Sequence, residues 1–320
     1  MSARVPSGGE GPGLREALWS WAIWGVVAVT VIVTYARLPA AAFYNVTGTG
    51  LWSGLARALV LLGWPVAPAA LALMAVAVDR LLAAPFERGP RRAVIAAAIA
   101  AAVLCATIAV PGVVKQSDLD AKPANLAAGI GVLTALGLTL FALRRTGAGP
   151  PGARGRGDRI ALRIAALYTL AALPWIFANL GFYVGDVPVL HHIFMSRKVL
   201  PEAGHPHLRA VHLGNHEGLD GWLLAVTALL LRPALARMRP TRLRPALGGY
   251  LALLVAYGVM VSANDGWNEQ IVKRGWTSHG PPSVLTPALN PGWAILIAVA
   301  VVLYLAAFRV RAGEREPVVA

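Results

Sequence analysis

The chain has 320 residues, 57% hydrophobic and only 14% charged, with a formal net charge of +14 and a mean hydropathy of +0.61. A soluble globule of this length needs more polar surface, so the composition excludes a soluble protein and points to a polytopic membrane protein partnered by the lipid bilayer. The positive charge does not imply nucleic acid, because no basic stretch is interleaved with aromatic residues that would stack on bases.

Eight apolar segments, near 17–36, 56–78, 93–114, 124–143, 160–184, 212–231, 245–264 and 291–309, have the length of about 20 residues that crosses a hydrocarbon core. The expected fold is all-α: a single membrane domain over 1–320, an integral membrane helical bundle of eight transmembrane helices. The first segment, Ala17 to Ala36, outlasts the apolar region of a secretory signal, which spans about 7 to 15 residues. It reads as an anchor, although Leu38-Pro39-Ala40-Ala41-Ala42 looks like a small-residue cleavage site. Phe43 to Gly50 reads as an aromatic anchor and polar turn. It contains the glycosylation tripeptide at Asn45, in a chain whose alanine- and arginine-rich composition looks bacterial.

In the second segment Pro65 and Pro68, and in the fifth Pro174, remove helix hydrogen bonds and are expected to kink those spans rather than end them. The third holds the single cysteine, Cys105, which excludes an intramolecular disulfide. Before the fourth, Lys115 to Pro123 carries balanced charge and reads as a solvated turn, with Pro123 placed to start the span and with Asp118 and Asp120 as reserve carboxylates. Alanine and glycine, as in Gly129-Ile130-Gly131, allow close helix packing. The Gly/Pro/Arg-rich stretch 146–158 reads as a flexible cytoplasmic linker between two sets of four spans, with no internal repeat.

Arginine density alternates with loop parity. Arg4 and Arg15; Arg80, Arg88, Arg91 and Arg92; Arg144, Arg145, Arg154, Arg156, Arg159 and Arg163; Arg232, Arg237, Arg239, Arg242 and Arg244; and Arg309, Arg311 and Arg315 make up 20 of the 29 basic residues. By the positive-inside rule both termini and these connections are cytoplasmic, in a multi-pass protein of the plasma membrane. The polar clusters then fall on the extracytoplasmic face.

The densest of these runs from His191 to Asp220 and holds six of the seven histidines. On a helix His212, His216 and Asp220 fall at i, i+4 and i+8 and stack along one face. Imidazole and carboxylate suit a divalent metal, zinc ahead of iron, and no nearby thiolate suggests a soft-ligand structural site. His191, His192, His205 and His207 are the loop candidates for a third ligand, and Met195 beside the first two raises copper as an alternative. Glu217, next to His216, is a candidate general base on metal-bound water. The competing reading is plain: loop histidines need no explanation, and Glu217 and Asp220 suit the positive end of a helix dipole.

A second cluster ends the seventh span, where Ser262, Asp265 and Glu269 share a helical face. Asp265 is a candidate carboxylate ligand or base, and His279 in the following loop could complete the site. Here too a structural account competes, because Glu269 and Lys273 form an i, i+4 pair and Trp267 with Trp276 fits an interfacial belt.

No Walker loop, dinucleotide fingerprint, Gly-x-Ser-x-Gly elbow or Cys-x-x-Cys-His haem site occurs in the sequence. The expectation is therefore a membrane-embedded, metal-dependent hydrolase or transferase acting on an apolar or lipid-linked substrate at the outer leaflet. Transport or metal handling is the alternative, although it requires polar residues through the bilayer. A bis-histidine haem protein would need imidazoles facing each other across helices, and a non-catalytic assembly role is the remaining reading. No oligomeric state follows from the sequence.

Overall fold

The apolar runs fold as helices because a backbone in hydrocarbon must satisfy its own hydrogen bonds. The computed structural model describes residues 14–37, 50–85, 88–110, 113, 121–149, 154–180, 217–282, 284 and 290–310, and every regular element among them is helical. In chain order these are α1 (Arg15–Arg37), α2 (Leu51–Leu61), α3 (Ala67–Ala83), α4 (Arg88–Ala106), α5 (Pro123–Thr146), α6 (Arg156–Ala171), α7 (Leu173–Asn179), α8 (Glu217–Arg237), α9 (Leu243–Trp267) and α10 (Pro291–Leu303). A π-helical turn, Leu62–Val66, joins α2 to α3, so the prolines bend this span at Trp64 without ending it. Similar turns extend α9 through Asn268–Val272 and α10 through Tyr304–Phe308. Pro123 opens α5 at its first turn, where a missing N–H costs nothing, as expected from the sequence.

Seven helices among the described residues are long and apolar enough to cross a membrane, against the eight expected. The difference is the fifth segment. Pro174 lacks the N–H that would continue the ladder and its ring crowds the carbonyl four residues earlier. The run is interrupted at Ala172, leaving α6 with 16 residues and α7 with 7, neither of which meets the length of a span alone. The interruption re-aims Trp175, which matters below.

The central element is α8, which packs most extensively on α9 and also touches α1, α3, α6 and α7. Every residue from Gly218 to Leu229 is buried, the signature of a helix enclosed on all sides. Lipid-like side chains gain nothing by leaving lipid, so the pair must be held by close contact and by polar bonds between helices. Gly221 and Gly258 supply the close contact: a Cβ on either would collide with the other's carbonyl oxygen. In the same way Gly131 lets α5 approach the α4 backbone at Ala101 and Cys105. Indole and hydroxyl groups supply the bonds, with Trp24 Nε1 donating to Thr227 Oγ1 at 3.0 Å, Trp21 Nε1 to Thr139 Oγ1 at 3.2 Å and Trp222 Nε1 to Thr169 Oγ1 at 3.0 Å. Each such bond contributes roughly 0.6 kcal/mol in a membrane setting.

One end of the bundle gathers the arginine-rich connections. Arg237 bonds Glu16 at 2.5 Å, Arg239 bonds the fully buried Asp79 at 3.0 Å, and Arg232 pairs with Asp158. The acids come from the start of α1, from α3 and from the start of α6, while all three arginines come from α8 and the residues just after it. These ion pairs place the arginine-bearing connections together.

Candidate functional site

The opposite end carries the carboxylates. Glu217 and Asp220 lie in the first turn of α8, and Asp265 lies in the last turn of α9. The glycine contact one residue beyond Asp220 brings the two helices close enough for these acids to act on one another. Asp265 is 5% exposed and fully engaged on one oxygen: Trp175 Nε1 donates to its Oδ2 at 2.5 Å, and the Gly218 backbone N–H donates to the same carboxylate. The Gly218 carbonyl in turn accepts from Ser262 Oγ at 2.9 Å, and Ser262 Oγ accepts from Tyr168 O–H at 2.6 Å. A chain of donors thus runs from α6 through α9 to the start of α8, with α7 closing it from the side. Gly218 is required here because a Cβ would strike the Trp175 ring.

Asp220 differs. It is 2% exposed, and its Oδ1 finds no hydrogen-bond donor among the described residues. A buried carboxylate oxygen without a donor is a costly arrangement that calls for a cation, a proton or a ligand. The positive influence on it comes from Arg57 of α2, itself only 2% exposed, whose guanidinium lies 6.0 Å from the centre of the Tyr35 ring. Tyr257 of α9 lies within the field of both Asp220 and Glu217 and packs edge-on against Trp64 at 5.5 Å. Glu217 also lies within the field of Glu269 and Lys273, which pair with each other at 2.8 Å. The site therefore sets four carboxylates, Glu217, Asp220, Asp265 and Glu269, against the cations Arg57 and Lys273.

Of the residues singled out from the sequence, Glu217, Asp220 and Asp265 are brought to one locality. His279 is exposed in the loop after α9, where its Nδ1 lies 3.3 Å from Thr277 Oγ1 and its carbonyl accepts from Trp267 Nε1 at 3.0 Å. His191, His192, His205, His207, His212 and His216 lie outside the described residues, as do Met195, Asn45, Asp118 and Asp120. Among the described residues no three of His, Cys, Asp and Glu are arranged to hold a metal ion. Sequence reasoning missed Arg57, Tyr35, Tyr168 and Trp175. For Arg57 a signal existed, since a charged residue within a membrane span is rare unless it has a function.

Comparison with protein-family models, with curated proteins and with solved structures finds no match to this chain.

Proposed function

We propose that this membrane protein is a metal-dependent hydrolase or transferase acting on an apolar or lipid-linked substrate, with its site on the extracytoplasmic face of the plasma membrane. The reading is carried by the buried Asp220 carboxylate, whose Oδ1 has no donor among the described residues, at the head of a helix that His212 and His216 directly precede. Since the described carboxylates alone do not form a metal group, the metal requires these two histidines. Zinc suits imidazole and carboxylate donors, with iron or copper as substitutes. Asp220 serves as third ligand or orienting partner. Glu217, one residue from His216, would be the proton acceptor, and the metal would supply Lewis-acid activation of a nucleophilic water there. Asp265, held by Trp175 and the Gly218 N–H, keeps the start of α8 in place and is the second candidate for proton handling. An apolar substrate reaches such a site from the bilayer while water reaches it from the aqueous side.

One observation favours the transport reading: Arg57 and Asp220 are two buried ionisable residues within the apolar helices, where charges mark ion pathways as often as catalytic sites. The two readings separate experimentally. Activity on a lipid-linked ester or phosphoester is expected to disappear on chelation and in His216→Ala. In Glu217→Gln turnover is expected to fall by about 100-fold or more, the low end for a general base, while metal remains bound. Full turnover in Glu217→Gln, together with ion flux in proteoliposomes that depends on His212 and His216, replaces the enzyme with a transporter.

A further inference from the structure

At the arginine-rich end, helices α6, α8, α9 and α10 leave a cleft of about 390 Å³, within the range of about 300 to 1,000 Å³ common for ligand sites. Three guanidinium groups, those of Arg156, Arg232 and Arg309, line it together with an apolar wall that includes Ile160, Ile164 and Leu229. The three cations have different roles. Arg232 is mostly buried and structural: it pairs with Asp158, and its Nε donates to the Ala307 carbonyl at 2.8 Å, tying α6, α8 and the end of α10 together. Gly157 makes room for it, because a Cβ there would collide with the Arg232 guanidinium. Asp158 is fully used, since it also accepts from the Gly155 N–H at 2.9 Å in capping α6. Arg156 and Arg309 are exposed, and their guanidinium groups make no ion pair or hydrogen bond with any described residue.

The lining thus has three positive groups and no acidic one, and with Arg232 paired to Asp158 beside it, Arg156 and Arg309 leave a surplus of two positive charges at the rim of an apolar cleft. Like charges gathered at the edge of a low-dielectric region repel one another unless an anion is present. The apolar wall continues onto a surface that faces outward from the bundle, with Ile160 44% and Ile164 48% exposed. A soluble anion has no use for such a wall, and a peptide would bring backbone polar groups that the wall cannot satisfy. A molecule with an anionic head and a hydrocarbon tail satisfies both parts.

We propose that this cleft binds an anionic phospholipid, with its phosphate between Arg156 and Arg309 and one acyl chain against Ile160, Ile164 and Leu229. Basic pockets between membrane helices are suited to such headgroups, and each nearby arginine strengthens the attraction. This site is separate from the carboxylate site and does not depend on the enzymatic reading.

The test is lipid retention by the delipidated full-length chain, titrated with phosphatidylglycerol or phosphatidylcholine and read by native mass spectrometry. The wild type is expected to prefer phosphatidylglycerol by about tenfold or more, and R156Q/R309Q to lose that preference. R88Q/R91Q removes two exposed arginines of α4 that do not line the cleft and is expected to keep the preference. Ala306→Trp, which fills the cleft from its own lining, is expected to weaken retention of phosphatidylglycerol with all three arginines intact. Equal loss in R88Q/R91Q, absence of any preference in the wild type, or displacement of the lipid by inorganic phosphate overturns the proposal.

Discussion

Arg57→Met is expected to destabilise the protein by about 1 to 3 kcal/mol, the cost of leaving a buried polar group uncompensated, because the charge of Arg57 acts on the buried Asp220 carboxylate. Arg57 and Asp220 are each 2% exposed, so neither can turn to water when its partner is lost. Arg57 is the cation whose charge acts on Asp220, and Asp220 Oδ1 has no described hydrogen-bond donor to fall back on. The double variant Arg57→Met/Asp220→Asn is expected to recover much of that loss, because the carboxylate on which Arg57 acts is then replaced by a neutral amide. Thermal unfolding of the detergent-purified singles and double forms a double-mutant cycle, and the coupling is expected to exceed about 1 kcal/mol. Simple additivity of the two single effects would show that the residues do not act on each other, and the coupling between them would have to be abandoned.

The second large effect is expected at the α8–α9 crossing. Gly258→Ala adds one methyl group, and in a helix interior that exchange ordinarily stabilises by roughly 0.5 to 1 kcal/mol. At this position the new Cβ meets the Gly221 carbonyl oxygen and the Ala225 backbone nitrogen. A carbonyl in a buried helix cannot rotate away, so the helices must separate. Overpacking of this kind costs about 1 to 3 kcal/mol. Gly249→Ala, in the same helix with nothing within 4 Å of the added Cβ, is the matched control and is expected to be neutral or stabilising. Because the crossing also sets Gly218 against Asp265, Gly258→Ala is expected to disturb the Trp175–Asp265 hydrogen bond, visible as a change in tryptophan fluorescence. Equal melting temperatures for the two alanine variants would mean that the helices do not meet at these glycines.

The fold was legible where chemistry is local. Long apolar runs can satisfy their backbones in lipid only as helices, so span positions followed from composition alone, and Pro123 marked the start of α5 through its missing N–H. The fifth segment failed because a proline in an apolar run allows either a bend or a break. Pro65 in one context and Pro174 in another gave the two outcomes, and the sequence pattern around them does not distinguish the two. At the site, spacing placed Glu217 and Asp220 in one helical turn and put Ser262 and Asp265 on one face. Spacing says nothing about which helices are neighbours. The Trp175–Asp265 and Tyr168–Ser262 bonds join residues 90 and 94 positions apart, and no periodicity encodes a contact of that range. Arg57 was readable in principle as a charge inside an apolar run, but arginine counting treats such residues as markers of loops. His212 and His216 lie outside the described residues and enter the proposed site from sequence alone.

The central claim, a metal held at the head of α8, is tested most directly by metal analysis of the detergent-purified wild type beside His212→Ala/His216→Ala. Bound divalent metal, zinc foremost, at close to one equivalent in the wild type and its loss in the double variant is the predicted result. A wild type that purifies without metal after zinc supplementation, or a double variant that retains it undiminished, contradicts the account.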